Sequence, residues 1–153
     1  MVDMPGMHDT AVKIRRGKRT DLSALQTLLH PEAPEVPGAA DLACTRHWRR
    51  LASDPSLDFY VAEQEGTILA VLLVCYVREL REYGWQAIVD TMLSASASSL
   101  LGQHLLDFAK ARARQRGCRR LLAWPHDMME EHQVTTLTQG GFHAVGDVLS
   151  CDL

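Results

Sequence analysis

Apolar and polar positions recur along this chain in blocks, and each block predicts one element of secondary structure. Val12 to Arg16 alternates, which is typical of a strand. Thr20 and Asp21 then precede leucines at helical spacing, which predicts a short capped helix. Pro31 ends that helix, and a second helix is predicted from about Ala39 to Ala52.

Three strands are predicted in the middle of the chain. LDFYVAEQE, residues 57–65, and TILAVLLVCYVR, residues 67–78, flank Glu65-Gly66, a pair typical of a hairpin turn. The second run is apolar on both faces, which indicates a central strand covered on both sides. The third strand of this group is predicted from Trp85 to Leu93.

The second half of the chain predicts two helices, each followed by strands. An amphipathic helix opens near Leu100 and closes at Gly117, with cationic side chains in its last turns, where they suit the helix dipole. The remaining predicted elements are a strand at residues 118–124, a helix at 127–139, and a strand pair at 142–145 and 148–153.

This order of elements predicts an α/β protein. We expect a mixed, mostly antiparallel central sheet of six to seven strands, flanked by about four helices. The strand–helix–strand unit over residues 85–124 forces one parallel pair of strands. The length of 153 residues suits one domain. We expect residues 1–11 to form a flexible leader and residues 12–153 to form the single domain.

Composition and charge argue against several classes of function. The formal net charge is −3, which gives no electrostatic reason to expect a nucleic-acid partner. The longest apolar run, Ile68 to Val77, is too short to span a membrane, and the opening residues lack the apolar stretch of a signal peptide. The four cysteines are scattered, with no CxxC pair, which favours structural thiols in a reducing cytoplasm and no metal site.

The segment from Ile88 to Gly117 carries the strongest functional signal. An apolar run ends at Leu93, the small residues SASASS follow, and the amphipathic helix begins. Free amides and the positive dipole end at a helix start make such a junction suitable for an anion.

Several segments resemble the GCN5-related N-acetyltransferase (GNAT) family. VKIRRGKRTDLSALQTLL is similar to the family's first strand and helix, GQHLLDFAKARARQRGCRRLLA to its cofactor-site helix and next strand, and TLTQGGF to the end of its last helix. The likeness in element order extends over residues 12–153. It implies a GNAT-like fold that takes acetyl-CoA as co-substrate and transfers the acetyl group to an amine.

The resemblance also implies where acetyl-CoA binds. In the family, a turn of Gln or Arg, two residues, Gly, one residue, then Gly or Ala cradles the pyrophosphate. Gly102 falls on its last position, Leu100 on its first glycine and Ala97 on its Gln or Arg. Amides near Met92 and Leu93 are expected to polarise the thioester carbonyl. The implied cofactor-binding residues are Met92, Leu93, Ser98, Ser99, Leu100, Leu101 and Gly102.

Asp90 is the candidate catalytic residue. It interrupts the apolar strand AIVDTML, and because burying an unpaired carboxylate is costly, it has a partner, faces a cleft or titrates high. In the family, an acidic residue on this strand often takes the proton of the substrate amine. A structural carboxylate, bonded to backbone or to an arginine, is the alternative. Leu137 stands where the family often has a tyrosine as general acid.

Two further groups of titratable residues have simpler alternatives. Glu79, Glu82 and Tyr83 precede the Asp90 strand, where the resemblance places part of the amine pocket, and an exposed turn is the alternative. His126 and His132 are poorly spaced for a shared metal, so a solvated helix start is favoured there.

The predicted function is that of a cytoplasmic N-acetyltransferase, which moves an acetyl group from acetyl-CoA to an unidentified small-molecule or peptide amine by direct attack. The alternative is an inactive GNAT-shaped CoA-binding, regulatory or interaction module, which the departures at Ala97, Leu100 and Leu137 favour. A third hypothesis is a homodimer or partner-binding domain that uses the sheet edge at Val148 to Leu153.

Overall fold

A computed structural model of the protein describes residues 11–29, 39–81, 83–96, 99–124 and 130–146. The strands are β1 (Lys13–Arg16), β2 (Leu57–Gln64), β3 (Thr67–Glu79), β4 (Gly84–Ser94) and β5 (Cys118–Ala123). The helices are α1 (Leu22–Leu29), α2 (Ala39–Ser53), α3 (Ser99–Gln115) and α4 (Glu131–Gln139). Residues 1–10 of the predicted leader and the predicted strand at 148–153 lie outside the described residues.

The described strands form one sheet in the order β1-β2-β3-β4-β5. Each of the first four strands is antiparallel to its neighbour, whereas β4 and β5 are parallel and are connected through α3. Between β2 and β3 the chain turns at Glu65 and Gly66, which have φ values of 51° and 79°. Positive φ at both positions gives a turn whose twist suits a hairpin. The predicted hairpin and the predicted parallel pair are therefore both present.

Apolar side chains cover both faces of the sheet. The larger cluster lies between the sheet and α3, and it contains the buried residues Tyr60, Leu72 and Leu105. The smaller cluster lies on the opposite face, under Leu25 of α1 and Trp48 of α2. In the described part of the chain, no helix is long and apolar enough to cross a membrane.

The predicted α/β class, the mixed sheet and the four helices are confirmed, with slightly fewer strands described than predicted. The described residues contain five strands rather than six to seven. Residues 142–145 do not form the predicted strand. The chain instead closes α4 there, because Gly141 has a φ of 88° and the Phe142 amide donates to the Leu137 carbonyl at 3.1 Å. That amide is consequently unavailable to a β ladder.

Helices α3 and α4 pack closely where Gly102 faces Thr136. A Cβ built on Gly102 would lie 2.6 Å from Thr136 Cγ2, and Thr136 is buried. Next to this contact, Gln103 Nε2 donates to the Thr136 carbonyl at 2.6 Å. At the other end of α4, Lys110 Nζ donates to the Gly140 carbonyl. The absence of a side chain at Gly102 therefore sets the distance between the two helices.

We expect Gly102→Ala to lower the free energy of unfolding by about 1–3 kcal/mol, because the added methyl overpacks the α3–α4 contact. Urea denaturation measures this change. Adding Thr136→Ser should restore part of the loss, since it removes Cγ2 and keeps the hydroxyl that donates to the His132 carbonyl. A neutral or stabilising Gly102→Ala, as the higher helix propensity of alanine alone would produce, contradicts the packing role.

Candidate functional site

A β-bulge in β4 places Asp90 in a special position. Val74 of β3 pairs with Val89, but the next residue, Leu73, pairs with Thr91. Asp90 is thus the extra residue and has no partner on β3. A bulge re-aims the side chain at that point and increases the local bend of the strand.

The pairing of β4 with β5 also ends beside this bulge. The last paired residues are Val89 and Ala123, where β5 ends, whereas β4 continues to Ser94. The edge of β4 from Thr91 onward therefore does not pair with β5. Backbone N–H and C=O groups on such an edge are available to a ligand or to another element.

Helix α4 partly fills the space beside this edge. Gln133 Nε2 donates to the Met92 carbonyl at 2.5 Å, and Gln133 Oε1 accepts from the Glu130 amide at 3.0 Å. The enclosed part of the cleft measures about 10 Å³, room for about one water molecule. Its lining includes the predicted site residues Met92, Leu93 and Gly102, which the fold brings together.

Asp90 is exposed at the bulge, which leaves its carboxylate accessible to a substrate. Its carboxylate accepts a hydrogen bond from the Thr91 hydroxyl at 2.9 Å. Burial raises the pKa of the nearby Cys75 thiol, and the negative charges of Asp90 and Asp54 raise it further. The Cys75 thiol is therefore held in its neutral form.

The start of α3 supplies the predicted anion site only in part. The helix begins at Ser99, and Leu100 is 63% exposed whereas Leu101 is buried. The first amides of a helix have no carbonyl partner one turn earlier, so those of Ser99 to Leu101 are suited to a phosphate. Gly102 is buried against Thr136 and acts in helix packing. Ala97 and Ser98 lie outside the described residues.

The other positions considered for catalysis either lie far from Asp90 or cannot act as a general acid. Glu79 pairs with Gly84 at the far end of β4, roughly 20 Å along the strand from Asp90, and Tyr83 lies in the adjoining turn. Leu137 is buried in the core, so its position offers no general acid. Glu82 and His126 lie outside the described residues.

His132 has an acidic neighbour on α4. Its Nδ1 lies 3.0 Å from a carboxylate oxygen of Glu130, which is largely exposed. Within the described ranges, no group of three or more His, Cys, Asp or Glu side chains is arranged to hold a metal ion.

Gln133 and Thr136 are the site residues that the sequence interpretation missed. They are separated by one helical turn on α4, and both line the cleft beside Met92. A polar pair at that spacing in a predicted helix was the available signal. It could not show that the pair faces the open edge of β4, because that depends on how α4 packs against α3.

Comparison with known proteins agrees with this architecture. The profile of the acetyltransferase (GNAT) family matches residues 22–134. No curated protein sequence shows a significant match.

Several solved structures share the fold. A transcriptional regulator from Bacillus halodurans C-125 has a TM-score of 0.78 and 22% identity, covering 94% of this chain and 100% of its own. An aminoglycoside acetyltransferase from an uncultured soil metagenomic sample, in complex with sisomicin, has a TM-score of 0.74 and 14% identity. The match covers 93% of this chain and 95% of that protein. A predicted acetyltransferase from Clostridium acetobutylicum, solved with acetyl-CoA, has a TM-score of 0.70 and 16% identity. The match covers 93% of this chain and 96% of that protein. Because the family profile also spans most of the sequence, the chain belongs to the GNAT acetyltransferase family.

Proposed function

We propose that residues 12–153 form one cytoplasmic acetyltransferase domain, which transfers an acetyl group from acetyl-CoA to a small-molecule or peptide amine. The observation that carries this proposal is the separation of β4 from β5 at Val89 and Ala123, directly beside Asp90. Among the described strands, none pairs with this edge of β4, which leads toward the start of α3. A carboxylate, free backbone groups and a helix start thus lie along one strand.

In this proposal, acetyl-CoA lies along the open edge of β4. Its pyrophosphate binds the amides at the start of α3, from Ser99 to Leu101, and the backbone near Met92 and Leu93 polarises the thioester carbonyl. Gln133 releases the Met92 carbonyl as the chain of CoA enters, because its side-chain amide occupies the strand edge along which that chain lies. Gly102 contributes by holding α3 against α4.

The chemical step is direct attack by the amine on the thioester carbonyl carbon. The C–N bond forms, the C–S bond breaks, and the amine proton passes to Asp90, directly or through water. The exposure of Asp90 suits this role, since its carboxylate is accessible to the substrate amine or to a bridging water. The CoA thiolate takes its proton from water, because Leu137 has none to donate.

Asp90→Asn should lower kcat/KM with an accepted amine by about 100-fold, since the amide cannot take the proton. The release of CoA thiol, measured across a panel of amines, gives this value. Glu79→Gln is the matched control, because it also neutralises a carboxylate but at the far end of β4. Equal rates for the Asp90→Asn variant and the unsubstituted protein would remove Asp90 from the mechanism.

Leu100→Glu should weaken the binding of acetyl-CoA by about ten-fold, because a negative charge at the exposed start of α3 repels the pyrophosphate. Titration calorimetry measures the affinity. His104→Glu introduces the same charge one turn later and should have a smaller effect. Comparable losses in the two variants would indicate that the phosphates lie elsewhere.

A CoA-binding or regulatory module without turnover is the second candidate. The absence of a proton donor at Leu137 and the closure of the cleft by Gln133 favour it. It predicts thermal stabilisation by CoA together with no CoA thiol release for any amine. Turnover that Asp90→Asn abolishes would exclude it.

A further inference from the structure

A second cleft lies at the opposite end of β4 from the bulge. Tyr76, Trp85 and Arg116 line a cavity of about 260 Å³ that is open to solvent. Its volume is slightly below the usual range of small-molecule sites, which begins at about 300 Å³. Trp85 precedes Asp90 by roughly 17 Å of strand. Trp85 also lies on the face of the sheet that α3 covers, opposite to the face of Asp90. It alternates in step with Ala87 and Val89, which are buried against α3.

A buried carboxylate holds Arg116 in place at this cleft. Asp58 is fully buried, and its oxygens lie 2.9 Å from Arg116 Nη2 and 2.6 Å from Arg16 Nη2. Arg116 also donates through Nη1 to the Pro55 carbonyl at 3.2 Å. Its guanidinium therefore has a defined position before any ligand arrives, and at least one of its five N–H groups remains for a ligand.

Tyr76 forms the floor beneath this guanidinium. The Arg116 guanidinium carbon lies 4.2 Å from the centre of the Tyr76 ring. The Tyr76 hydroxyl is 2.9 Å from the Tyr60 hydroxyl, which in turn donates to Asp58 at 3.0 Å. This buried network fixes the ring, so the charge and the aromatic surface are both preorganised.

Trp85, which also lines the cleft, belongs to a second arginine–aromatic pair. The Arg78 guanidinium carbon lies 4.7 Å from the centre of the Trp85 ring, and the indole remains 37% exposed. Among the charged groups in these contacts, Arg16, Arg78 and Arg116 carry three positive charges against the single negative charge of Asp58. The cleft thus combines a partly exposed flat ring with the fixed positive charge of Arg116, and Arg78 lies beside it on the same ring.

We propose that this cleft binds a small planar anion, an aromatic ring that carries a phosphate or carboxylate group. The ring stacks on Trp85, and the anion binds the remaining donors of Arg116. A nucleoside monophosphate has this chemistry, and stacking of a base on an aromatic side chain makes a substantial contribution to affinity. The site is separate from the proposed acetyl-transfer site, so either proposal can fail without the other.

Titration of the ¹⁵N-labelled protein with GMP tests this inference, followed through the indole N–H signals of the three tryptophans. We expect the Trp85 signal to shift saturably, while that of Trp124, which is 51% exposed beyond β5, stays in place. Because Trp85→Ala removes its own indole signal, its binding is followed through the backbone amide signals of Tyr76 and Arg116, and it should be at least about five-fold weaker. Arg78→Ala should weaken it about three-fold, whereas its matched control Arg81→Ala, at an exposed arginine in the same hairpin, should not.

Two further titrations separate the ring from the charge. Guanosine, which lacks the anion, and inorganic phosphate, which lacks the ring, should each bind at least about ten-fold more weakly than GMP. Equal binding of inorganic phosphate and GMP would overturn the proposal, as would equal, unsaturable shifts of Trp85 and Trp124. So would a loss of GMP binding in Leu100→Glu that Trp85→Ala does not reproduce, because that would place GMP at the start of α3.

Discussion

The structure depends on one constraint. Strand β4 pairs with an antiparallel neighbour along its whole length and with a parallel neighbour along only part of it. With β3 it pairs along its whole length, apart from the bulge at Asp90. With β5 it pairs only as far as Val89, because β5 ends at Ala123. A parallel neighbour must be reached through a crossover, here α3, which returns the chain to the starting end of the sheet. The same crossover leaves the helix start beside the unpaired part of β4, and the proposed cofactor cleft results.

The two ends of the sheet are stabilised by different forces. At the open end, α4 closes the cleft with one side-chain amide, from Gln133, and such a bond can be exchanged for a bond to a ligand. At the other end, the Asp58 carboxylate joins Arg16, the last residue of β1, to Arg116, which follows α3, and it is fully buried. Breaking that contact would leave a buried charge unpaired, which is expensive. This difference allows one end to open while the other stays rigid.

The pattern of residues identified the elements better than it identified the site. Alternation and helical spacing placed β3 and α3 almost correctly, and Gly117, with a φ of 78°, ends α3 as predicted. Asp90 was noticed because it breaks an apolar run, but the bulge at its position was not foreseen. A bulge depends on the register of two strands, which alternation within one strand does not contain. Gly102 was predicted as part of the phosphate-binding turn. Its packing against Thr136 could not be predicted, because Thr136 lies far away in sequence on α4.

The sequence by itself determined the kinds of element, their order, the turn at Glu65 and Gly66, and the absence of a proton donor at Leu137. These properties rest on local periodicity, backbone preference and side-chain chemistry, which each segment carries alone. Tertiary structure alone decided that Gln133 binds the Met92 carbonyl, and that Arg116 meets Tyr76 and Trp85 around Asp58. Those contacts join residues distant in the chain, and they form only when strand register and helix packing satisfy buried polar groups and fill the core together.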